Sequence, residues 1–551
     1  MPSRVSAAVL FLLYVLVFLT PGFFSMPPLD RDESRFAQAT KQMLETGDPV
    51  EIRFQDTARN KKPVGIYWMQ AASAAALGGP AEAPIWAYRI PSAIGAVLAI
   101  FFTYLAGAAL LDRRAAAIGA VLFGISVLMV AEGHIGKTDA MQTAAITAMM
   151  AGFARAFMRQ RTEPGAAGRW SDTLLIGAGL GVSALIKGPV GLMVGGLAIV
   201  ALWLMGGGLG WVKRTRPLLW APLALLIVLP WAVAITLQTG WSFWYDAIWG
   251  DMLSKVAGAQ EKHSGFPGYY LLLVTLTLFP GSLLLIPAAW RAVQQRKAPW
   301  AMFLIAWAVP TWLVFEILPT KLPHYVLPVY PALALAIGAY VGARFAREPD
   351  ATPLAARVTG RVLWGLMVVV IAAVMFYIPH LYSGGIGFTD IAFALVVIAA
   401  ATILMAIVLS DTWRLFLPGA VVLSAIALVG IFANTLGGAQ DLGVSPRLAE
   451  AARAAGWTPG EPIAASGYHE PSLVFLTATD LRLVDDGAAA ASFLKANPAG
   501  LAIVEGREFQ SFESGVAATG IRVDKVSEIE GFNYSRGQKV DIGLYRLRPA
   551  R

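Results

Sequence analysis

Long apolar runs separated by short polar segments dominate residues 1–435. Because the hydrocarbon core of a bilayer is about 30 Å thick, a helix needs roughly 20 mostly apolar residues to cross it. About thirteen runs have this character, although the run 171–186 is short and the run 188–208 is rich in glycine. The pattern predicts an all-α polytopic membrane domain with spans near 7–24, 84–110, 115–131, 138–158, 171–186, 188–208, 217–237, 267–289, 298–318, 324–342, 360–379, 389–409 and 413–432.

Residues 440–551 follow a different pattern, with more charge and shorter apolar segments. Strand-like pieces such as "PIAAS" and "LAIVEG" alternate with helical pieces such as "PRLAEAARAAG". Alternation on this scale indicates a small α/β domain. We therefore expect two domains, a membrane domain over 1–435 and an α/β domain over 440–551. The second domain could dock an acceptor, act as a lid or serve as a purely structural cap.

The charges between the apolar runs differ from one side of the membrane to the other. Cytoplasmic loops of membrane proteins are enriched in Lys and Arg. If the N-terminus lies in the cytoplasm, all the basic loops fall on the cytoplasmic side, and residues 440–551 lie outside. The first run has no clear cleavage site, so we expect a retained anchor rather than a signal peptide. The basic loops contain Arg113 and Arg114; Arg155, Arg159, Arg161 and Arg169; Lys213, Arg214 and Arg216; Arg291, Arg296 and Lys297; Arg344, Arg347, Arg357 and Arg361; and Arg414.

Composition narrows the function classes. The chain is 57% apolar and only 14% charged, whereas soluble domains carry roughly 25% charged residues. It has no cysteine, which excludes disulfides and thiolate metal sites. The net charge of +8 resides in short loops between apolar runs, so we expect no nucleic-acid partner. The chain also lacks a Walker A loop, a Rossmann glycine pattern, an HExxH motif and a nucleophile elbow.

The first external loop, residues 25–83, begins with a dense charge cluster. Asp30 and Glu33 have the spacing of a capping box, so we expect a helix that runs to Glu45 and stops at Gly47. Its apolar residues occupy one face, which predicts a helix lying flat on the membrane surface. The charges at its start either cap the helix and solvate the interface or carry chemistry. The apolar face would comprise Phe36, Met43 and Leu44, and the charge cluster Asp32, Glu33 and Arg35.

Other external segments bring further polar groups to the same side. Lysines beside aromatic residues either snorkel to lipid headgroups or bind a phosphate. Lys187 has no acid nearby in the sequence, which suggests either function or a short-loop lysine reaching water. A His-Tyr pair at a helix end is either a structural hydrogen bond or part of a site. These groups are Lys61 and Lys62; His134, Lys137 and Asp139; Lys187; Lys255, Glu261, Lys262 and His263; and Lys321, His324 and Tyr325.

This combination of carboxylates, cations and tyrosines near the membrane plane fits a phosphate-bearing amphiphile with its tail in the bilayer. Lysines together with Arg35 would stabilise a phosphate leaving group. A carboxylate would accept the proton of an incoming hydroxyl. The residues therefore favour group transfer from a lipid-linked phosphate.

Several ordered motifs resemble a known family. They are "RDESRFAQ", "KKPVGIYWMQ", "IKGP", "KHSGFPGYY" and "TKLPHYVLPVYPALAL", which together cover about the first 335 residues. They resemble the C-type (GT-C) membrane glycosyltransferases of the protein O-mannosyltransferase superfamily. The branch they resemble most adds 4-amino-4-deoxy-L-arabinose to bacterial lipid A. The sequence departs from the family at Lys61, where many relatives have an acid, and at Val64, where they have proline.

The resemblance implies transfer of a sugar from a polyprenyl-phosphate donor, with inversion and without a nucleotide, at the periplasmic face of the bacterial inner membrane. Asp32, Glu33 and Lys62 would then be catalytic. The departure at Lys61 puts any metal site there in doubt, so no cofactor is assigned and a divalent metal is left open. The substrate-binding residues would be Arg35, Lys61, Asp139, Lys187, His263, Lys321, His324 and Tyr325.

The acceptor stays open at the level of sequence. Lipid A or lipopolysaccharide is the first expectation, and a polysaccharide or a protein hydroxyl is the alternative within the same enzyme class. A lipid flippase is the alternative from another class. A flippase would predict charges at the bilayer midplane and an internal repeat of broken helices, whereas the polar groups here cluster on one face.

Overall fold

The computed structural model describes residues 12–253 and 265–548. Most of them are helical, and the strands lie almost entirely in the C-terminal part. In the order in which they occur, the helices are α1 Asp32–Thr46, α2 Gly65–Ala76, α3 Ile85–Leu110, α4 Arg113–Gly124, α5 Val127–His134, α6 Asp139–Thr162, α7 Trp170–Lys187, α8 Val190–Leu204, α9 Pro217–Thr239, α10 Tyr269–Thr277, α11 Leu285–Gln294, α12 Pro299–Ile317, α13 Tyr330–Phe345, α14 Leu354–Tyr382, α15 Phe388–Leu409, α16 Phe416–Val429, α17 Val444–Ala454, α18 Pro471–Leu476, α19 Gly487–Ala496 and α20 Phe509–Thr519.

Short elements connect these helices. The strands are β1 Arg53–Phe54, β2 Thr57–Ala58, β3 Ile463–Ser466, β4 Arg482–Val484, β5 Leu501–Glu505, β6 Val523–Asn533 and β7 Gln538–Leu547. The remaining short helical pieces are Val15–Leu19, Gly79–Glu82, Gly210–Arg214, Ser242–Tyr245, Asp246–Leu253, Gly281–Leu284, Pro323–Val329, Trp413–Leu415, Gly430–Thr435, Leu436–Gly438, Gln440–Leu442 and Gly506–Glu508.

The membrane part is helical, as the apolar pattern predicts. Seven helices of the described ranges are long and apolar enough to cross a bilayer, and α4 with α5, bent by 55°, would make an eighth. The count of about thirteen is therefore not confirmed. The run 138–158 forms α6 and the run 171–186 forms α7, but both helices carry polar side chains that neighbouring helices bury. The run 267–289 is broken into α10, a helical turn and α11.

Close helix contact fixes the start of α6, where several site residues lie. Gly95 of α3 faces α6 so closely that a Cβ there would lie 2.5 Å from the backbone nitrogen of Met141. Gly179 of α7 likewise faces the backbone of Ala145 and Met149. Small residues of this kind let helix backbones approach in a membrane protein. The first turn of α6 is consequently held between α3 and α7.

Helix α1 ends as expected but begins and packs differently. It stops at Thr46, and Gly47 follows with φ of 70°, the left-handed geometry of a glycine C-cap. At the other end Arg31 occupies the N-cap without a side-chain cap bond, so Asp30 and Glu33 do not form the expected capping box. The helix also does not present one apolar face to a surface, because polar Gln38 and Thr40 are buried as well. It lies between α2 and α18.

The C-terminal part contains the expected α/β structure. A five-stranded sheet has the order β4-β3-β5-β7-β6, in which β3 pairs in parallel with β4 and β5 and β7 pairs antiparallel with β5 and β6. Buried Leu448, Leu473, Ile503 and Ile542 form part of its core. Strand β6 at the edge of the sheet is not among the predicted strands, because its many charged residues are typical of an edge strand rather than a buried one.

Candidate active site

A cavity of about 430 Å³ lies where the start of α1, the loop before α2, the α5–α6 loop, the end of α7 and the segment before α13 meet. The β6–β7 turn of the C-terminal sheet completes its wall. Seven basic residues line the cavity against four acids, so it attracts anions. The charged lining consists of Arg31, Arg35, Arg59, Lys61, Lys62, Lys137 and Lys187 with Asp30, Asp32, Glu33 and Asp139.

Most of the residues singled out in the sequence meet in this cavity. Lys321 lies apart from it, because its ammonium group donates to Glu316 Oε1 at 3.0 Å and to the Phe266 carbonyl at 3.1 Å. His263 lies outside the described residues, as do Lys255, Glu261 and Lys262. Those that line the cavity are Asp32, Glu33, Lys62, Arg35, Lys61, Asp139, Lys187, His324 and Tyr325.

Asp32 and Glu33 are adjacent in sequence but differ in environment. Asp32, the first residue of α1, is exposed to the cavity. Glu33 points inward, and its carboxylate forms a two-pronged ion pair with the Arg89 guanidinium at 2.8 and 2.9 Å. It also accepts hydrogen bonds from the backbone N–H groups of Gly136 at 2.7 Å and Leu29 at 2.9 Å. Its acceptor positions are thus already occupied, and the catalytic role expected for Glu33 stays a prediction.

The pair of Glu33 and Arg89 joins separate parts of the chain. Arg89 also donates to the carbonyls of Phe23, Met26 and Pro27 at 2.9 Å each. These bonds link α3 to the segment that precedes α1. Both side chains of the pair are fully buried. A buried pair with its hydrogen bonds satisfied holds geometry, and here it fixes the turn that carries Asp32.

A second network forms the floor of the cavity. Lys187, at the end of α7, donates to Asp139, so the expectation that it has no acid partner is wrong. Lys137 Nζ lies 3.0 Å from Glu132 Oε1 and 3.8 Å from Asp139 Oδ2. It also lies 3.2 Å from His324 Nδ1. Two ammonium groups are therefore held beside the cavity by two carboxylates and an imidazole.

The charge state of Lys137 follows from these neighbours. Burial disfavours its ammonium form, but the carboxylates of Glu132, Asp139 and Asp32 outweigh burial and raise the pKa of Lys137. Lys137 consequently stays charged at neutral pH.

The remaining cations come from the loop before α2. The exposed Lys61 and the half-buried Lys62 follow two residues after the end of β2. Arg59 donates from Nε to the Tyr67 hydroxyl at 3.3 Å, and its guanidinium stacks 5.3 Å from the Phe36 ring. Tyr325 approaches from the opposite side, with its ring centre 5.6 Å from Lys187 Nζ.

Several groups of this site are not among the residues predicted from the sequence. Glu132 ends an apolar run, where an acid is easily taken for a boundary residue. Arg31 and Arg59 were not chosen among the many loop charges, although their position beside "DES" and "KKP" was a usable signal. Tyr534 and Ser535 come from the other end of the chain, and nothing in the local sequence connects them to Asp32.

The chain offers no metal-binding cluster in the ranges 12–253 and 265–548. No group of three or more His, Asp or Glu side chains there is arranged to hold an ion. Lys61 occupies the position at which the sequence departs from the family it resembles.

Comparisons with known proteins show which proteins the chain resembles in sequence. The family model of dolichyl-phosphate-mannose-protein mannosyltransferases matches residues 10–244. A protein named undecaprenyl phosphate-alpha-4-amino-4-deoxy-L-arabinose arabinosyl transferase, from Yersinia pestis, is 29% identical over 345 residues, which is 61% of this chain and 59% of that protein. The protein of the same name from Aeromonas hydrophila is 29% identical over 402 residues, 71% of each chain. The chain thus aligns with about three-fifths of the length of the Yersinia relative.

The fold has a counterpart among solved structures. The crystal structure of ArnT from Cupriavidus metallidurans bound to undecaprenyl phosphate superposes with a TM-score of 0.73, covering 98% of both chains at 19% identity. An archaeal oligosaccharyltransferase from Archaeoglobus fulgidus, in the apo form, matches at a TM-score of 0.51 and 12% identity over 95% of this chain and 70% of that chain. At such low identity these likenesses concern the fold alone. In sequence the chain is thus similar to the dolichyl-phosphate-mannose-protein mannosyltransferases over residues 10–244 and to the arabinosyl transferases of Yersinia and Aeromonas, and its fold is similar to that of ArnT.

Proposed function

We propose that this protein transfers a sugar from a polyprenyl-phosphate donor to lipid A or lipopolysaccharide at the periplasmic face of the bacterial inner membrane. The observation that carries the proposal is the position of Asp32. Its exposed carboxylate shares one cavity with Lys62 and Lys187, which come from distant parts of the chain. The names of the curated relatives and the undecaprenyl phosphate bound to the related ArnT structure support the choice of donor.

The cations of the cavity suit the donor phosphate. A phosphodiester-linked sugar carries negative charge that grows on the phosphate as the sugar leaves. Lys62, Lys61 and Lys187 act as point charges for it, whereas Arg35 can bind two phosphate oxygens at once. Asp139 and Glu132 hold Lys187 and Lys137 in place before the donor arrives. Such fixed charges stabilise a transition state without having to reorganise.

Asp32 acts on the acceptor. The acceptor oxygen attacks the anomeric carbon from the side opposite the phosphate, the new C–O bond forms, and the sugar–phosphate bond breaks with its electron pair. The products are the glycosylated acceptor, with inverted configuration, and free polyprenyl phosphate. If the acceptor is a hydroxyl, Asp32 takes its proton. If the acceptor is a phosphate group, it is already ionised, and Asp32 only orients it.

The positions of the basic residues support the proposed orientation of the chain in the membrane. Helix α6 begins at the cavity with Asp139 and runs for 24 residues, which corresponds to about 36 Å, roughly one membrane thickness. At its far end Arg155 and Arg159 form ion pairs with Asp172. Since basic loops stay in the cytoplasm, the cavity would face the periplasm and the N-terminus the cytoplasm. In this arrangement residues 1–435 form the catalytic membrane domain and residues 440–551 a periplasmic domain above it.

Reconstituted protein tests the proposal directly. Purified protein in liposomes is supplied with radiolabelled undecaprenyl-phosphate sugars and with lipid A, polysaccharide or protein acceptors. We expect label on lipid A from wild type and a loss of transfer in Lys62→Ala, whereas Asp32→Asn should lose most of its transfer to a hydroxyl and much less of its transfer to a phosphate group. Lys62→Ala should weaken donor binding by about 10–100-fold, the effect of one lost charge-assisted hydrogen bond.

Matched variants in the same part of the protein serve as controls. Asp56→Asn and Lys539→Ala remove exposed charges outside the cavity and should keep wild-type transfer. Label on a protein hydroxyl instead of on lipid A would show that the acceptor is a protein. Movement of the labelled lipid between leaflets without turnover would replace the whole proposal with a flippase.

A further inference from the structure

The C-terminal domain touches the cavity through the turn between β6 and β7. Tyr534 and Ser535 at this turn line the same cavity as Asp32, although about 500 residues separate them in the chain. The backbone N–H of Asp30 donates to the Tyr534 hydroxyl at 2.6 Å. The Arg31 guanidinium donates to the Ser535 carbonyl at 2.8 Å. Both bonds end on the two residues that directly precede Asp32.

A third bond holds Asp30 from another element. The backbone N–H of Ser472, in α18, donates to Asp30 Oδ1 at 2.9 Å. The segment before Asp32 is thus fixed on one side by the Glu33–Arg89 pair and on the other by the C-terminal domain. The segment that leads into α1 and Asp32 is therefore in direct contact with that domain.

The β6–β7 turn is itself rigid. The buried Glu470 accepts hydrogen bonds from Asn533 Nδ2 at 2.9 Å and from the Ser535 hydroxyl at 2.5 Å. Asn533 Oδ1 in turn accepts from the backbone N–H of Ser535 at 3.1 Å. Because Glu470 lies two residues before Ser472, one short segment supports both the turn and the bond to Asp30. A rigid support of this kind is what positioning a reacting group requires.

We propose that Tyr534 is a positioning residue of the active site, which holds Asp32 in place through Asp30, so that the C-terminal domain takes part in the reaction. The proposal rests on the proposed function, since it assigns Tyr534 as the group that positions the reacting carboxylate of Asp32. Tyr534 is 38% exposed at the edge of the cavity, and its hydroxyl is the acceptor for the Asp30 N–H. Removing this hydroxyl releases Asp30 from the β6–β7 turn. The phosphate-binding lysines lie on other elements and keep their positions.

The test separates positioning from folding. Tyr534→Phe removes only the hydroxyl, and Asp30→Ala removes the acceptor for Ser472. Asp30→Asn keeps a carbonyl oxygen for that bond and is the conservative rescue. Tyr382→Phe is the matched control. Tyr382, at the end of α14, packs against Phe532 of the C-terminal domain with ring centres 4.9 Å apart, but it does not line the cavity.

We expect Tyr534→Phe and Asp30→Ala to lower kcat about tenfold, the scale of a small misplacement of a reacting group. Binding of undecaprenyl phosphate, measured by its thermal shift, should stay as in wild type, and Asp30→Asn and Tyr382→Phe should keep kcat. An unchanged kcat in Tyr534→Phe, or an equal loss of kcat and of donor binding, would overturn the inference. If wild type itself transfers no sugar, it is the proposed function that fails, so the two failures are distinguishable.

Discussion

Lys187, the last residue of α7, donates a hydrogen bond to Asp139, the first residue of α6. The other oxygen of the same carboxylate lies 3.8 Å from Lys137 Nζ. Asp139 is therefore the shared counter-ion of two lysines at the edge of one cavity. Without a substrate, Asp139 neutralises part of the positive charge of the two lysines. A bound donor phosphate would place further negative charge beside them.

Asp139→Asn should destabilise the protein and make it more dependent on its donor. Both lysines lose a nearby negative charge, and removing one partner of a buried ion pair costs about 3–5 kcal/mol. A bound phosphate restores part of that charge. We expect a lower Tm in detergent and a larger stabilisation by undecaprenyl phosphate than in wild type.

The control for this variant is Asp411→Asn, which breaks an ion pair with Arg344 on an acid that is 67% exposed. Exposed pairs contribute at most about 1 kcal/mol, so little change is expected there. Equal Tm values for Asp139→Asn and wild type would show that the two lysines do not depend on Asp139.

Glu33→Gln should reduce folding rather than chemistry. An amide in place of the carboxylate sets an NH₂ group against the Arg89 guanidinium or against the N–H groups of Gly136 and Leu29, all of which are donors. We expect a strong loss of stability, about 3–5 kcal/mol, seen as a lower Tm and a lower yield of folded protein. The exchange Glu528→Gln, at an exposed pair with Lys525, is the comparison. A Glu33→Gln protein as stable as wild type but inactive would instead make Glu33 catalytic.

The contrast between Asp32 and Glu33 also marks the limit of what the sequence could predict. The motif pointed to the charge cluster, but which of two adjacent carboxylates faces the cavity depends on where the helix begins. That start is set by Arg89 and by Ser472, which lie 56 and 442 positions from their partners. The apolar runs predicted the helical membrane part, because their signal is local. The number of spans is harder to predict from the sequence, because α6 and α7 bury polar groups between helices.

The distinction between local sequence signals and contacts of distant residues also explains the other differences between prediction and structure. Lys187 has no acid near it in the sequence, because its partner Asp139 precedes it by 48 residues. The apolar face of helix α1 predicts a position on the membrane surface, because its cover comes from the C-terminal domain, which is distant in the chain. Strand β6 was missed because a charged edge strand has little apolar alternation. In each case the missing information is a contact between distant parts of the chain.

Asp32→Asn should reduce turnover while leaving donor binding intact. The amide has nearly the same shape but cannot accept the acceptor's proton, and loss of a general base typically costs about 10²–10⁴-fold in rate. We expect that loss in kcat for a hydroxyl acceptor, with the thermal shift produced by undecaprenyl phosphate unchanged. The measurement is transfer of radiolabelled sugar at saturating donor, with Asp56→Asn as the matched control.

The size of the Asp32→Asn effect then distinguishes the acceptors. A phosphate acceptor, already ionised, needs no base, so its transfer should fall much less than transfer to a hydroxyl. A variant that loses donor binding in parallel with kcat would contradict the assignment of Asp32 to the acceptor step.

Asp30→Asn should stabilise the protein in a manner that depends on pH. Burial raises the pKa of Asp30 from 3.8 to about 6; the Ser472 hydrogen bond and the charge of Arg35 oppose this shift, and Glu470 adds to it. Tyr468 and Tyr534 also face the group. Because the folded state holds the proton more tightly than the unfolded chain, the ionised carboxylate weakens folding above pH 6, and this cost is relieved as the pH falls from 6 toward 4.

Asparagine removes the charge but keeps an oxygen for the Ser472 N–H. The gain in Tm of Asp30→Asn over wild type should therefore be larger at pH 8 than at pH 5, as measured by thermal unfolding in detergent. Asp56→Asn, at an exposed position, should show no such difference between the two pH values. A gain that is equal at both, or larger at pH 5, would mean that Asp30 titrates with an ordinary pKa and that its contact with the C-terminal domain does not bury its charge.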